Sequence, residues 1–348
     1  MNPIKRILVI QTAFIGDVIL TLPLVQALKE FFAGSPIDMV VVPRSAEVCS
    51  NHPALSNVIL FDKAGSARGI GGLWRIARDL RNTGYDLAIV PHRSLRSAVL
   101  AFLARIPLRV GFNQSAGRFL FTSTVRYDSS LHEIERNLSL LSAYGIERSG
   151  RILPQVYPGT AERVGVDSLL PPPLNHSPNL VGIAPGTVWN TKRWPKDRFA
   201  ALAELFLAEG NNVLLVGGRD DVDLCNEIAN LVGPGRVINA AGKFSLLGSA
   251  ELLRRCKLLV SNDSAPMHLA VAVGTPVVAI FGATVPEFGF APAGADDEVV
   301  EVRGLSCRPC SSHGGNECPI KTFDCMLNIT PERVMAKARI VLERTQIR

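Results

Sequence analysis

The chain lacks the features that would place it in several common classes of protein. Apolar residues make up 47% of its 348 positions, yet no apolar run approaches the roughly 18 to 20 residues needed to span a bilayer. Neither G-x-G-x-x-G nor a Walker A sequence is present, which argues against dehydrogenases and P-loop enzymes. A clean signal-peptide cleavage site is also missing, because Gln11 and Asp17 interrupt the apolar run that begins at Ile7. We therefore expect residues 7–10 to form the first core strand of a cytoplasmic protein.

Acidic residues are absent from a long part of the first half. None lies between Asp86 and Asp128, a stretch that holds six arginines: Arg93, Arg96, Arg105, Arg109, Arg118 and Arg126. Clustered arginines suit phosphates, carboxylates or an anionic membrane surface, and a solvated basic face is the competing interpretation. No nucleic-acid-binding motif or interleaved aromatic pattern accompanies the charge, so we expect no nucleic acid partner.

Short apolar strands alternate with helical patterns in two series, which predicts an α/β protein with two parallel-sheet domains facing across a cleft. The first series starts at Ile7–Ile10 and the second at Leu180–Ala184, with a Pro- and Gly-rich stretch between them. We predict four segments: a domain over 1–160, a linker over 161–179, a second domain over 180–330, and a C-terminal helix over 331–348 able to pack back on the first domain.

The segment Ser261–His268 follows a short apolar run and precedes an apolar helical pattern. It is typical of a strand that ends in a turn and opens a helix, where free backbone N–H groups and the helix dipole favour an anion. A strand-end loop of this kind in a parallel sheet is where nucleotides bind. A simple capped helix, with Asp263 or Ser264 as N-cap, is the alternative.

A second strand-end loop, Gln11–Asp17, links the first strand to the first long helix. Gly16 permits close approach of a ligand, and Asp17 lies at the carboxyl end of the strand. A carboxylate at this place is suited to take a proton from a hydroxyl nucleophile. Spacing alone favours a helix N-cap for Asp17, because aspartate is common at that position.

Two loops of the second half carry polar residues that suit a nucleotide sugar. Thr187 and Lys192 are candidates for gripping its phosphates, with Lys192 offsetting charge on a departing diphosphate. A lone loop lysine is usually just solvated, but Lys192 lies between two tryptophans. In the next strand-end loop, Asp220 or Asp221 is expected to cap the helix or hold a ribose hydroxyl. We do not expect Asp221-Val222-Asp223 to bind a metal.

Four of the seven cysteines fall within nineteen residues, in a segment that we call the cysteine loop (residues 307–325). They are Cys307, Cys310, Cys318 and Cys325. Such clustering in a cytoplasmic chain favours a metal over disulfides, so structural Zn²⁺ is one interpretation. Their spacing is less regular than that of a zinc ribbon, and reduced thiols that pack the loop are the other interpretation.

Taken together, four motifs resemble glycosyltransferase family 9, the bacterial lipopolysaccharide heptosyltransferases, and its type II members in particular. The likeness covers essentially the whole chain. The motifs are Gln-Thr-Ala-Phe-Ile-Gly-Asp at 11–17, Pro-Gly-Thr at 185–187 with Lys-Arg-Trp-Pro at 192–195, Ser-Asn-Asp-Ser-Ala-Pro-Met-His-Leu-Ala at 261–270, and the end of the cysteine loop with Thr-Pro-Glu at 330–332.

The resemblance implies the GT-B fold, with two Rossmann-like domains of which the first binds the acceptor and the second the donor nucleotide. It also implies inverting transfer of L-glycero-D-manno-heptose from ADP-heptose to the lipopolysaccharide inner core, a heptosyl-Kdo-lipid A type acceptor. Asp17 matches the family's catalytic base and Lys192 its phosphate-contacting lysine. The residues that match its donor-binding stretches are Thr187, Asp263, Ser264, Ala265 and His268.

On the acceptor side, we expect contacts from Gly16, Arg93, Arg96 and Arg118, because Kdo carboxylates and lipid phosphates suit an arginine-rich half. No cofactor is expected for catalysis, and the basic half is expected to hold the enzyme at the inner face of the cytoplasmic membrane as a peripheral protein. Two alternatives stay open. One is a family 9 transferase with another sugar or acceptor, and the other is a catalytically silent protein that binds nucleotide sugars.

Overall fold

The computed structural model describes residues 4–65, 67–146, 151–170, 172, 174 and 179–346. The chain forms two compact units, Met1–Tyr157 and Pro158–Arg348. The unit boundary therefore lies three residues before the end that we predicted for the first domain. None of the helices described is long and apolar enough to cross a membrane.

The first unit is a six-stranded parallel sheet with helices between its strands. Its strands are β1 (Ile7–Ile10), β2 (Ile37–Val41), β3 (Asn57–Leu60), β4 (Leu87–Val90), β5 (Leu108–Phe112) and β6 (Ser123–Val125). Its helices are α1 (Ile15–Phe31), α2 (Gly69–Thr83), α3 (Leu95–Leu103) and α4 (Glu133–Ser139). Every residue of β1 and β4 is buried, which explains why these strands are continuous apolar runs in the sequence.

The second unit repeats this architecture with its own core. Its strands are β7 (Leu180–Ala184), β8 (Asn212–Leu215), β9 (Ile238–Asn239), β10 (Leu258–Asn262), β11 (Val277–Phe281) and β12 (Glu298–Glu301). Its helices are α5 (Thr160–Leu169), α6 (Lys196–Ala208), α7 (Val222–Val232), α8 (Leu246–Arg254), α9 (Ala265–Ala272), α10 (Asp324–Leu327) and α11 (Pro331–Gln346).

Both sheets have the same strand order, which confirms the prediction of two Rossmann-like parallel sheets. The first runs β3-β2-β1-β4-β5-β6, and the second runs β12-β11-β10-β7-β8-β9. All strand pairs are parallel, with β1 between β2 and β4 and β7 between β8 and β10. The direction of winding reverses beside the first strand of each unit, and ligands of such sheets bind at the carboxyl ends of the strands at that switch point. In this chain those ends belong to β1 and β4, and to β7 and β10.

The predicted linker is wrong, and the C-terminal helix joins the core of the second unit. The predicted linker over 161–179 contains most of α5, which packs against α8 of the second unit and buries Val166. The C-terminal helix α11 packs against α6 and the strands β10, β11 and β12 of the second unit. The reason is its apolar stripe, which joins the core of the second unit through Val334, Met335, Ala338, Val341 and Leu342.

Candidate active site

In the second unit, the turn between β10 and α9 holds a buried ion pair. Lys192 Nζ lies 2.5 Å from Asp263 Oδ2, and the two side chains are only 13% and 8% exposed. The same carboxylate oxygen accepts a hydrogen bond of 2.6 Å from Thr284 Oγ1. Such shielding from water strengthens the attraction between the charges. The structure therefore brings together Lys192 and Asp263, which are 71 positions apart in the sequence.

Ser264 occupies the N-cap position of α9, as the capped-helix interpretation proposed. Its side chain does not accept a hydrogen bond from the helix; its hydroxyl instead donates to the carbonyl oxygen of Gly186 at 3.1 Å. Among the described residues, the first turn of α9 thus begins without a side-chain cap, at the switch point of the sheet. A helix start of this kind presents backbone N–H groups and the positive end of the helix dipole to an anion.

Asn262, the last residue of β10, joins the loops around this turn. Its side chain is fully buried, and its amide donates to the carbonyl of Pro185 at 2.8 Å. Its amide oxygen accepts from the backbone N–H of Trp194 at 3.1 Å. The loop after β7 and the segment that carries Lys192 are therefore both fixed to the end of β10. Sequence reasoning placed Asn262 in the motif but assigned no role to it.

The other predicted donor residues surround the same strand ends. Thr187 follows β7, and its carbonyl accepts from a guanidinium nitrogen of Arg193 at 2.9 Å. Ala265 is the first residue of α9, and His268, one turn further along, is buried. Asp220 lies exposed in the short turn after β8.

The neighbouring Asp221 makes the closer contact with the site. Its Oδ2 accepts a hydrogen bond of 2.9 Å from the backbone N–H of Gly218, and burial raises the pKa of its carboxyl. The side chain also lies against Gly186, where an added Cβ would be 2.1 Å from Asp221 Oδ1. A side chain at position 186 would therefore have to displace the Asp221 carboxyl. Of the two acids considered for this turn, Asp221 is the one that caps it.

In the first unit, Asp17 lies in the first turn of α1. The N-cap of that helix is Phe14, two residues before Gly16, so the helix-cap interpretation of Asp17 is wrong. Its backbone carbonyl accepts a hydrogen bond of 2.7 Å from Thr21 Oγ1. Asp17 thus belongs to the first turn of the helix that follows β1, and its role as a base stays a prediction.

Glu133 is an acidic neighbour of Asp17 that sequence reasoning missed. It is buried in α4, which packs on α1, and its Oε2 lies 2.8 Å from Arg136 Nε. Burial, together with the charge of Asp17, raises the pKa of Glu133 to about 7 although Arg136 opposes the shift. No sequence pattern could have found this neighbour, because only the packing of α4 on α1 brings it to Asp17.

The three arginines predicted to bind the acceptor have different environments. Arg93 is exposed, and its guanidinium lies 4.2 Å from the ring centroid of Tyr127. Arg96 donates to the carbonyl of Ala67 at 2.8 Å and lies over an aromatic ring, so it supports the fold. Arg118 is exposed in a short turn after β5. Arg93 is therefore the one of the three that combines exposure with a fixed position, and Arg136 lies over the same Tyr127 ring.

A histidine that sequence reasoning did not single out lies at the switch point of the first unit. His92 Nδ1 is 3.0 Å from Thr12 Oγ1 and 3.1 Å from Ser97 Oγ. Burial and the nearby charges of Lys63 and Arg93 lower its pKa to about 4. The imidazole is thus neutral near pH 7, and it is held by hydroxyls from the ends of β1 and the start of α3. The sequence position of His92, directly after the apolar run of β4, could have marked it as a residue at the carboxyl end of a strand.

The predicted zinc set is not assembled in this structure. Within the described part of the chain, no three His, Cys, Asp or Glu side chains are placed to hold a metal ion, and this includes the four loop thiols. Cys325 is buried in the core of the second unit, and Cys310 Sγ donates to the carbonyl of Cys307 at 3.3 Å. Cys318 differs, because backbone N–H groups of residues 320–323 lower its pKa. Zinc binding by these thiols stays a prediction.

Comparison with known proteins identifies the family. A sequence model of glycosyltransferase family 9 (heptosyltransferase) matches residues 73–320. The chain belongs to glycosyltransferase family 9. It is 30% identical over 293 residues to lipopolysaccharide heptosyltransferase 2 of Salmonella typhimurium strain LT2, an alignment that covers 81% of this chain and 84% of the relative.

Two solved structures extend the match to the whole fold. The family 9 glycosyltransferase of Veillonella parvula DSM 2008 superposes with a TM-score of 0.88 at 27% identity, covering 98% of each chain. The ADP-heptose LPS heptosyltransferase II of E. coli superposes with a TM-score of 0.79 at 25% identity, covering 98% of this chain and all of that one. The prediction of a GT-B glycosyltransferase is thereby confirmed, and the roles of individual site residues stay predictions.

Proposed function

We propose that this glycosyltransferase moves L-glycero-D-manno-heptose from ADP-heptose to the inner core of lipopolysaccharide, with inversion at the anomeric carbon. The observation that carries the proposal is the Lys192–Asp263 pair beside the uncapped start of α9, at the switch point of the second Rossmann-like sheet. The names of the relatives support the choice of sugar and acceptor. A family 9 transferase with another sugar or acceptor is the alternative.

The donor's diphosphate is proposed to bind at Lys192, Thr187 and the start of α9. An ammonium group has three N–H donors, and the pairing of Lys192 Nζ with one Asp263 oxygen leaves donors for phosphate oxygens. The backbone N–H groups of Ser264 and Ala265, together with the dipole of α9, favour the negative charge of the diphosphate. As the sugar–phosphate bond breaks, the electron pair leaves with ADP, and these groups stabilise its charge. We expect that this step needs no cofactor.

Asp17 is proposed as the general base on the acceptor side. As the acceptor oxygen forms its bond to the anomeric carbon, its proton passes to the Asp17 carboxylate, and the bond to ADP breaks on the opposite face. The exposed Arg93 guanidinium is suited to acceptor carboxylates and phosphates. The same charge is proposed to hold the protein peripherally at the inner face of the cytoplasmic membrane.

The test measures ADP release from ADP-heptose, with and without a Kdo-containing core acceptor that carries one heptose. Asp17→Asn is compared with Asp79→Asn, which changes an acid of the same unit whose side chain is 62% exposed. Wild type and Asp79→Asn should release ADP only when the acceptor is present. Asp17→Asn should lose at least about 100-fold in turnover, the usual contribution of a general base, and still bind ADP-heptose. Unchanged turnover in Asp17→Asn would refute the base assignment.

A second comparison tests the donor site. Lys192→Ala should weaken both ADP affinity and turnover, whereas Lys196→Ala should change neither, because Lys196 is half-exposed and pairs with Glu227. ADP should compete with the donor better than UDP or GDP, and activity should persist in EDTA. A preference for UDP, or no release from wild type despite ADP binding, would contradict the heptosyl transfer.

A further inference from the structure

The cysteine loop lies against the segment that carries Lys192. Lys192 ends a single 3₁₀ turn, Asn190–Lys192, between β7 and α6. A lysine on so short a turn has a flexible four-carbon stem, so the position of its ammonium depends on what packs around it. Here the neighbour is residues 314–316 of the cysteine loop, which are more than 120 positions away in the sequence.

Thr191 makes a reciprocal pair of hydrogen bonds with that loop. Its backbone N–H donates to the carbonyl of Gly315 at 3.0 Å, and its Oγ1 accepts from the Gly315 N–H at 2.8 Å. The side chain is 3% exposed. A third bond of 3.2 Å runs from Asn190 Nδ2 to the carbonyl of Asn316. The turn is thus bonded to the loop through both Asn190 and Thr191.

The loop backbone also supports the stem of Lys192. Gly314 has a φ of +88°, and a Cβ added there would be 3.0 Å from Lys192 Cγ and Cδ and 3.2 Å from Thr191 Oγ1. The glycine therefore allows the loop to lie directly along the methylene groups of the lysine. This contact leaves the ammonium pointing to Asp263, 2.5 Å away.

A buried arginine connects the cysteine loop to the segment after β11, which contacts Asp263. The Arg308 side chain is 5% exposed and pairs with Glu301 at 2.7 Å. It donates to the carbonyl of Thr284 at 2.8 Å, and Thr284 Oγ1 in turn donates to Asp263. The cysteine loop therefore contacts Lys192 directly and is connected to Asp263 through Arg308 and Thr284.

We infer that Thr191 is a positioning residue for the donor site, which acts by locking the Lys192 turn to the cysteine loop. The inference rests on the proposed role of Lys192 at the diphosphate. It assigns to the cysteine loop a function that needs no metal, namely to keep the ammonium beside Asp263 before the donor arrives. The contacts that carry it are the two Thr191–Gly315 hydrogen bonds and the packing of Gly314 on the lysine stem.

Two variants separate positioning from simple structural loss. Thr191→Val keeps the shape but removes the hydroxyl, and Thr191→Ser keeps the hydroxyl. The matched control is Thr275→Val, because Thr275 is equally buried in the same unit and its hydroxyl also makes one hydrogen bond, to Leu253. Thr191→Val and Thr275→Val should therefore lose similar thermal stability.

The first measurement is acylation of Lys192 in the free protein by N-hydroxysuccinimidyl acetate, followed by peptide mass spectrometry. The second is the Kd for ADP. Thr191→Val should raise the acylation rate of Lys192 and the Kd by about fivefold each, the effect of one lost hydrogen bond. Thr191→Ser and Thr275→Val should match wild type. Asn190→Ala changes an exposed residue, so folding should be little affected. It should also raise the acylation rate of Lys192 and the Kd for ADP, as Thr191→Val does.

Acylation and ADP affinity that stay within twofold of wild type in Thr191→Val would overturn the inference. Equal changes in Thr275→Val would overturn it as well, because they would show a general loss of stability. The acylation readout needs neither heptose nor acceptor. If the wild type does not transfer heptose, the proposed function is refuted. The acylation rates would still show whether Thr191 positions Lys192.

Discussion

Asn262 is the residue whose replacement should disturb the donor site most without removing a charged group. Asn262→Ala leaves two buried backbone groups without their partners, the carbonyl of Pro185 and the N–H of Trp194. Each unsatisfied buried group costs about 1–3 kcal/mol, and the space left by the amide adds a cavity cost. We expect the free energy of unfolding of the second unit to fall by about 4 kcal/mol.

The matched control is Asn239→Ala in the same unit. Asn239 also makes two hydrogen bonds, to Asn226 Oδ1 and from the backbone N–H of Ala241, but it is only half-buried. Water can replace its partners, so a loss of about 1 kcal/mol is expected.

Urea unfolding followed by tryptophan emission measures both variants. Trp194 is fully buried in the second unit, whereas Trp74 of the first unit is 56% exposed, so the emission shift reports mainly on the second unit. The Kd for ADP, measured on the folded variants, should rise in Asn262→Ala and stay unchanged in Asn239→Ala. Equal stability losses in the two variants would refute the argument that burial makes the Asn262 bonds important.

Two further predictions follow from close contacts and burial. Gly186→Ala should lower the free energy of unfolding by about 1–3 kcal/mol and weaken ADP binding, because the added Cβ would lie 2.1 Å from Asp221 Oδ1. Gly34→Ala is the control, since an added Cβ there meets no atom within 4 Å. It should change neither the thermal stability nor the affinity for ADP. Burial lowers the pKa of His52 from 6.5 to about 4 in the folded protein. As the pH falls, this histidine is therefore protonated in the unfolded chain before it is protonated in the folded one. The free energy of unfolding should fall by about 3 kcal/mol between pH 6.5 and 4. Urea titrations across that range should show a shallower fall for His52→Asn, and an unchanged slope would contradict the assignment.

Four of the strands that apolar runs in the sequence predict are buried at every residue. β1, β4, β7 and β11 begin and end where the apolar runs do, because a parallel strand covered by helices has no polar face. The strands it missed include β9, of only two residues, and β12, whose ends are both glutamates. Both lie at edges of the second sheet, where partial exposure removes the continuous apolar pattern.

The motif residues of the site could be located from sequence, but not their partners. Asp17 and Asp263 were placed at strand ends because chain order and hydrophobic pattern decide where a strand stops. That Glu133 lies beside Asp17, and that Asp221 rather than Asp220 contacts the Gly186 loop, depends on side-chain packing between distant segments. Among the described residues the four loop thiols do not form a metal-binding group, a point that the spacing of the cysteines alone could not decide.

The amino-acid sequence by itself determined the class of the protein. Two series of buried strands and helices, with polar residues where the strands end, specify two parallel sheets and their ligand-binding edges through local hydrophobicity and chain connectivity. Only the tertiary structure decided that α11 belongs to the second unit and that the cysteine loop lies on the Lys192 turn. Contacts such as Thr191 with Gly315 join segments more than 120 residues apart. Such contacts form only when the whole unit folds, because no local preference encodes which distant backbone a side chain will meet.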